Sequence, residues 1–226
     1  MGERIKFVVL EKAVKVAMQY HDAFRHDIGL PYIFHPMEVC KDARDRGIVD
    51  EEFLCACVLH DTLEDTKYTE DQMLADFGPR VLSIVKEVSK IGIDDEGIEV
   101  KMDFLKHCTG KSFESLLLKL SDRYCNVMDY KNGKRIWYPS YYAIQAYPLI
   151  HHYQLNINNI ISLFGNKVSV GYNDLITELW KLVYNQYKLD IMISDAKTIA
   201  KIDDILLNRR KGIYETPEDI NHELEQ

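Results

Sequence analysis

The sequence lacks a CxxC pair, a long apolar run and any sustained alternation of apolar and polar residues. Its five cysteines are an odd number and are mostly flanked by apolar residues, which predicts reduced core thiols in a cytoplasmic protein. No apolar run reaches the roughly 18 residues that a membrane span needs, and the N-terminal segment is too charged for a signal peptide. The sequence therefore predicts neither a disulfide framework nor a membrane anchor.

The chain also lacks an excess of positive charge. It has 28 Lys and Arg against 36 Asp and Glu, which gives a formal net charge of -8. This balance argues against broad binding to nucleic acid or to an anionic membrane. An anionic small-molecule substrate would need a metal ion or a local cluster of Lys and Arg.

Helical periodicity dominates the sequence. Residues 51–61, EEFLCACVLHD, begin with acids and continue almost entirely apolar, which predicts a buried central helix. Thr69 and Gln72 form a capping-box pattern before a helix at 70–77, and Gly78-Pro79 predicts its end and the start of a helix at 80–90. Further helices are predicted at 3–21, 36–46, 113–130, 140–156, 172–189 and 191–209, with a longer turn within 162–174.

These patterns predict an all-α bundle of about 9–11 helices with no substantial sheet. We expect one main domain over residues 1–165. A C-terminal helical extension over 166–226 is expected to pack on the same domain.

One stretch, VLHDTLEDT at 58–66, places a histidine and an aspartate at the end of the apolar helix. His60 and Asp61 would lose hydration there unless another group compensates, and a divalent metal is such a group. His35, at a loop-to-helix junction, and Asp122, which follows the apolar run LLLKLS, are candidates for the remaining ligands. Imidazole and carboxylate donors with open positions for water are typical of a hydrolytic metal centre.

Each of these residues also has a purely structural explanation. His35 could cap its helix, His60 could be a core histidine with a satisfied hydrogen bond, and Asp122 could pair with Lys119 or Arg123. Taken singly, such explanations are the more common ones. The combined series of His, His-Asp and Asp, each beside an apolar helix, favours the metal centre.

Four segments, PYIFHP, LHDTLEDT, FGPRVLSIVKEVSK and LLLKLSDRYCNV, resemble in order and spacing the metal-dependent HD hydrolase domain of the RelA/SpoT alarmone enzymes. The resemblance covers roughly residues 5–155 and is nearest in size to the small alarmone hydrolases, which lack a synthetase domain. It implies that residues 1–165 form an HD phosphohydrolase domain. A chain of 226 residues leaves no room for a synthetase as well, so a degradative role is implied.

The resemblance implies specific roles for individual residues. A Mn²⁺ ion would be bound by His35, His60, Asp61 and Asp122. Glu64 and Asp65 would orient or deprotonate the attacking water. Substrate contacts would come from Arg25 or its rival His26, from Asn126, from Lys90, and from Tyr147 or its rivals Tyr141 and Tyr142.

The implied reaction is removal of the 3′-pyrophosphate from ppGpp or pppGpp, which gives pyrophosphate and GDP or GTP. A second interpretation keeps the site but changes the nucleotide to ppApp, NADPH or another nucleotide. A third is a nucleotide-sensing or antitoxin module without turnover, although the Glu64-Asp65 pair argues against it. The expected partner is a small nucleotide, with no nucleic acid and no membrane, and homo-oligomerisation is left open.

Overall fold

The computed structural model describes residues 7–24, 29–90, 108, 111–132 and 146–191, and these residues form helices joined by short connections. They contain no sheet, and an isolated bridge joins Phe24 to Pro31. The predicted all-α fold is confirmed. The helices of the described residues are α1 Val8–Tyr20, α2 Phe34–Asp45, α3 Glu51–Leu59, α4 Thr62–Asp65, α5 Glu70–Val88, α6 Phe113–Asn132, α7 Tyr147–Leu155, α8 Ile157–Phe164 and α9 Asn166–Ile191.

Helix α3 is the centre of the bundle, as its apolar run predicts. The Asp50 carboxylate accepts a hydrogen bond of 2.8 Å from the Phe53 N–H and caps the helix. Every residue from Phe53 to Leu59 is buried, and the helix packs against α1, α2 and α5. His60 and Asp61 follow directly, so the rigid core determines where these two side chains lie.

Helix α5 contains the predicted break. The Thr69 hydroxyl accepts from the Gln72 N–H, and the Gln72 side chain accepts from the Thr69 N–H, which confirms the capping box. Gly78 has φ 84° and ψ 175°, a conformation that favours glycine, and Pro79 begins the second half of the helix. The end of the second half contacts α6, where Lys119 Nζ donates to the Val88 carbonyl at 3.4 Å.

Helix α6 carries the LLLKLSD segment against α2 and α5. Leu116, Leu117, Leu118 and Leu120 are buried, and so is Asp122 in the same stretch. Because these leucines lie on several faces of the helix, the whole segment is buried and Asp122 is buried with it. The helix therefore delivers a carboxylate into the core beside α2.

The turn predicted within residues 162–174 is wrong. Helix α8 ends at Phe164, Gly165 alone breaks the chain with φ 85°, and α9 begins at Asn166. Val168 and Tyr172, four residues apart, are both buried on one face of α9. Their burial outweighs the turn preference of the neighbouring Asn and Gly residues, because tertiary packing overrides weak local propensity. The predicted helix at 140–156 is described only from Tyr147 onward, and residues 192–226 lie outside the described part.

Helix α9 is held against α2 and α6 by a cluster that we call the α9 anchor: Asp42, Arg46, Tyr124, Gly171 and Glu178. The Arg46 guanidinium donates to the Gly171 carbonyl at 3.1 Å and to Asp42 Oδ1 at 3.1 Å. Its Nη2 lies 3.6 Å from Glu178 Oε2, and its Cζ lies 4.9 Å from the Tyr124 ring centroid. The Tyr124 hydroxyl donates to Glu178. The division at residue 165 stays a prediction, since these contacts do not define a domain boundary.

All five cysteines are free and buried, as the sequence predicts. Within the described residues, no helix is both long enough and apolar enough to cross a bilayer.

Candidate metal centre

Three helices bring the four predicted ligands together. His35 is the second residue of α2, His60 and Asp61 follow the end of α3, and Asp122 lies within α6. His35, His60 and Asp122 are buried, and they form the metal-ligand cluster found among the described residues, with donor atoms within 4.8 Å of one another. Residues separated by up to 87 positions thus meet at one point.

The donor atoms form a closed ring in which imidazole nitrogens and carboxylate oxygens alternate. His35 Nε2 lies 3.1 Å from Asp122 Oδ1 and 3.8 Å from Asp61 Oδ2. His60 Nε2 lies 3.0 Å from Asp61 Oδ2 and 3.8 Å from Asp122 Oδ1. Four donors converging in this way, two nitrogens and two oxygens, suit a divalent metal ion.

His60 provides the test of whether a metal fits. Its Nδ1 lies 2.9 Å from the Cys57 carbonyl, which can only accept, so Nδ1 carries a hydrogen and Nε2 is left to face the carboxylates. The buried Nε2 has no hydrogen-bond partner, although Asp61 Oδ2 is 3.0 Å away. Nε2 and the carboxylates face each other favourably only when a cation, either a proton or a metal ion, lies between them. The donor set therefore fits a divalent metal.

The electrostatics of the centre support this conclusion. Burial lowers the pKa of His60, but the carboxylates of Asp61 and Asp122 outweigh it and raise the pKa to about 9. Burial also acts to raise the pKa of Asp61, yet His60 and His35 hold it well below its usual range. The same negative field that retains a proton on His60 attracts a metal ion.

Asp122 is engaged on both carboxylate oxygens. Oδ1 accepts a hydrogen bond of 2.6 Å from the Asn126 amide, and Oδ2 lies 2.9 Å from Lys119 Nζ. Burial acts to raise the pKa of Asp122, but Lys119 and the two histidines keep it well below the usual value. The ion pair with Lys119, which the sequence suggested as an alternative to metal binding, therefore exists together with the cluster. Asn126 contacts a ligand residue, and its predicted contact with substrate stays a prediction.

The acid pair lies on α4, the single turn that follows Asp61. The Lys90 N–H donates to Glu64 Oε2 at 2.8 Å, and Lys90 Nζ lies 3.9 Å from Glu64 Oε1. Burial and the charge of Asp61 raise the pKa of Asp65 to about 6. A carboxylate with this pKa can accept a proton near neutral pH. The structure thus brings two predicted site residues, Glu64 and Lys90, into contact, while their roles stay predictions.

Tyr32 is a member of the site that the sequence interpretation missed. Its hydroxyl donates a hydrogen bond of 2.6 Å to Asp61 Oδ2, the oxygen that faces both imidazoles. A signal was available, since Tyr32 lies in the PYIFHP segment three residues before His35.

Tyr147 is a further predicted substrate contact that lies within the described residues. Tyr147 is only 3% exposed, and its ring stacks on His151 with centroids 5.7 Å apart. It lies at the start of α7, which packs on α6, and its contact with a nucleotide stays a prediction. Arg25, His26, Tyr141 and Tyr142 lie outside the described residues.

Comparison with known sequences gives consistent matches. A family model described as an HD domain matches residues 13–135. The guanosine-3′,5′-bis(diphosphate) 3′-pyrophosphohydrolase of Aquifex aeolicus is 37% identical over 120 residues, which are 52% of this chain but 17% of that protein. The guanosine-3′,5′-bis(diphosphate) 3′-pyrophosphohydrolase MESH1 of Xenopus tropicalis is 34% identical over 132 residues, 55% of this chain and 70% of that protein. The chain thus spans less than a fifth of the first relative and more than two thirds of the second.

Comparison with solved structures agrees on the fold. A metazoan orthologue of SpoT, described as hydrolysing ppGpp, superposes with a TM-score of 0.62 at 20% identity and covers 77% of this chain and 97% of its own. At this identity the similarity establishes the helical fold alone.

Proposed function

The chain belongs to the HD domain family, and from this premise we propose that it is a Mn²⁺-dependent hydrolase that removes the 3′-pyrophosphate of ppGpp or pppGpp. The products are pyrophosphate and GDP or GTP. Water attacks the phosphorus attached to the ribose 3′ oxygen, and that oxygen leaves with a proton. The MESH1 relative named for this reaction supports the substrate class.

One observation carries the proposal: the closed ring of two imidazole nitrogens and two carboxylate oxygens lies next to a separate acid pair. His35, His60, Asp61 and Asp122 would hold the metal. A bound divalent ion supplies Lewis acidity and lowers the pKa of water towards neutrality. A binding module without turnover would have no use for the acid pair.

The acid pair would handle the proton and the substrate charge. Asp65, whose pKa is about 6, is suited to accept the proton of the attacking water. Glu64 lies against Lys90, whose ammonium would offset the negative charge of the phosphates when substrate enters. Arg25 and Asn126 are proposed to contact the nucleotide, with Tyr147 closing the base pocket.

Mn²⁺ is the proposed ion because the donor set contains two carboxylate oxygens as well as two imidazole nitrogens. Carboxylate oxygens suit Mn²⁺, and imidazole nitrogens also bind Zn²⁺ and Fe²⁺. After chelation, the protein should be reloaded with Mn²⁺, Mg²⁺, Zn²⁺ or Co²⁺ and assayed with each. The highest turnover with Mn²⁺ is expected, and activity with Mg²⁺ alone would contradict the proposed metal.

A substrate panel separates the alternative functions. Purified protein with Mn²⁺ is incubated with ppGpp, ppApp, NADPH and dNTPs, and the products are resolved by chromatography. We expect pyrophosphate and GDP from ppGpp at the highest rate. Preference for another nucleotide would keep the site and change the substrate, whereas no product from any nucleotide would favour a sensing module.

Glu64→Ala tests the acid pair. We expect Mn²⁺ binding to be retained, because Glu64 is not among the clustered ligands, and the turnover rate to fall by about 10²-fold or more. Glu70→Ala is the matched control, since Glu70 also pairs with a lysine, Lys86 at 2.5 Å, but on the exposed face of α5. It should leave both properties unchanged. Full activity in Glu64→Ala would exclude the assigned role.

A further inference from the structure

The loop before α2 presents one hydroxyl to the metal centre. Tyr32 donates its hydrogen bond of 2.6 Å to Asp61 Oδ2, which is 3.0 Å from His60 Nε2 and 3.8 Å from His35 Nε2. A carboxylate oxygen has two lone pairs. With one lone pair accepting from Tyr32, the other is left directed towards the imidazoles.

The Tyr32 ring is held from two directions. His21 stacks on one face, with centroids 4.9 Å apart and an interplanar angle of 27°. His35 approaches edge-on, with centroids 6.1 Å apart and an angle of 73°. His21 is itself buried and is tied to α1, because its N–H donates to the Ala17 carbonyl at 3.0 Å.

The backbone around Tyr32 is fixed as well. The Tyr32 N–H donates to the Ala23 carbonyl at 2.9 Å, and the His35 N–H donates to the Tyr32 carbonyl at 3.0 Å. The first bond connects Tyr32 to the segment that leaves α1, and the second connects it to the ligand helix α2. The hydroxyl therefore has little freedom to move away from Asp61.

We propose that Tyr32 is a positioning residue for the hydrolysis proposed above: its hydroxyl, held by the His21 and His35 rings, fixes the Asp61 carboxylate in the orientation that binds the metal. Groups that orient metal ligands in this way commonly affect metal affinity by about 10- to 100-fold. The Tyr32 hydroxyl also interacts with the Asp65 carboxylate. The same side chain thus links the ligand Asp61 to the acid pair.

Tyr32→Phe tests this inference without removing the ring. The affinity for Mn²⁺ alone, measured by isothermal titration calorimetry in the absence of nucleotide, should fall about 10-fold. Tyr68→Phe is the matched control, because the Tyr68 hydroxyl also donates to an aspartate, Asp76 Oδ2 at 2.7 Å, away from the ligands. The control should lower Tm by a similar amount and leave Mn²⁺ affinity unchanged. Mn²⁺ affinity within twofold of wild type in Tyr32→Phe would overturn the proposal.

Kinetics provide a second readout. In Tyr32→Phe, kcat for ppGpp should fall at saturating Mn²⁺, while KM should remain within about twofold, because the hydroxyl is not proposed to touch substrate. A rise in KM with unchanged kcat would contradict a positioning role. If wild type hydrolyses no nucleotide but Tyr32→Phe still weakens Mn²⁺ binding, the proposed function fails and the positioning role stands.

His21 variants test the ring contact independently, should Tyr32→Phe fold poorly. His21→Phe keeps a ring against Tyr32 and should leave Mn²⁺ affinity within about twofold of wild type. His21→Ala removes the stacked ring and should weaken Mn²⁺ binding by about threefold or more. Equal effects of the two variants would overturn the role assigned to the stacked ring.

Discussion

Helix α6 contributes to two polar clusters, the buried metal centre through Asp122 and the partly exposed α9 anchor through Tyr124. In the α9 anchor, the chain supplies its own cation, because Arg46 lies within 3.1 Å of Asp42 and 3.6 Å of Glu178. In the metal centre, carboxylates face imidazole nitrogens, and Lys119 Nζ lies 2.9 Å from Asp122 Oδ2.

The difference lies in how the buried negative charge is compensated. Buried carboxylates are stable only when paired or when they coordinate a metal. The α9 anchor pairs Asp42 Oδ1 with the Arg46 guanidinium, although Asp42 Oδ2 is buried without a hydrogen-bond partner. In the metal centre, His60 Nε2 has no hydrogen-bond partner and faces carboxylates, an arrangement that suits a bound cation.

The largest effect is expected when one carboxylate of the metal centre is removed. Asp61→Ala should abolish measurable Mn²⁺ binding and turnover, because it removes the oxygen nearest His60 Nε2. His60→Ala should do the same. Both are checked by calorimetric titration with Mn²⁺ and by product release from ppGpp. Retained activity in either variant would exclude the proposed ligand set.

Asp42→Ala is the matched control, since its side chain is 11% exposed against 14% for Asp61. It leaves Arg46 without its nearest acid and should lower the free energy of unfolding by about 3 kcal/mol. Mn²⁺ affinity should be unchanged in the folded protein. If the variant is still folded but has lost Mn²⁺ affinity, the two clusters are coupled.

An intermediate effect is expected at the α2–α9 contact. A Cβ at Gly171 would lie 2.8 Å from the Arg46 Cα, closer than real Cβ atoms approach backbone. Gly171→Ala should therefore lower the free energy of unfolding by about 1–3 kcal/mol, measured by urea denaturation. Gly165→Ala is not an equivalent control, because Gly165 has φ 85° and its substitution would strain the backbone instead. Unchanged stability of Gly171→Ala would mean that α9 can shift on α2 without cost.

The smallest effect is expected at Ser121, which precedes the proposed metal ligand Asp122. Ser121 Oγ lies 3.0 Å from the Tyr172 hydroxyl, and both are buried. Ser121→Ala removes this hydrogen bond and should lower the free energy of unfolding by about 1 kcal/mol. Mn²⁺ affinity should not change, because Ser121 faces α9 although it adjoins Asp122. A weaker Mn²⁺ affinity would show that α9 contacts influence the centre through α6.

Much of the fold follows from local patterns. Asp50 to Leu59, the Thr69-Gln72 capping box and the Gly78 break form as expected because capping, periodicity and glycine geometry act within a few residues. The region around Gly165 differs, since its Asn and Gly residues favour a turn while Val168 and Tyr172 are buried by distant helices. Only the packing of α9 decides between these tendencies.

The candidate site divides in the same way. The motif spacing brings His35, His60, Asp61 and Asp122 into one hypothesis. The donor atoms of His35, His60 and Asp122 cluster, and Asp61 Oδ2 lies 3.0 Å from His60 Nε2. Tyr32 was not assigned to the site, because a tyrosine near an apolar run has many structural uses, and Lys119 was considered only as an alternative to metal binding by Asp122. Their role becomes visible only when distances to Asp61 and Asp122 are known.

The sequence by itself determined the helical class, the central apolar helix and the residue types available for a metal centre, because these depend on composition and on spacing along one helix. The tertiary structure decided which atoms converge, that Asp122 is shared between the histidine cluster and Lys119, and that Tyr32 orients towards Asp61. These contacts join residues from helices far apart in the chain. Their geometry depends on how the helices pack, and packing is a property of the whole chain rather than of any one segment.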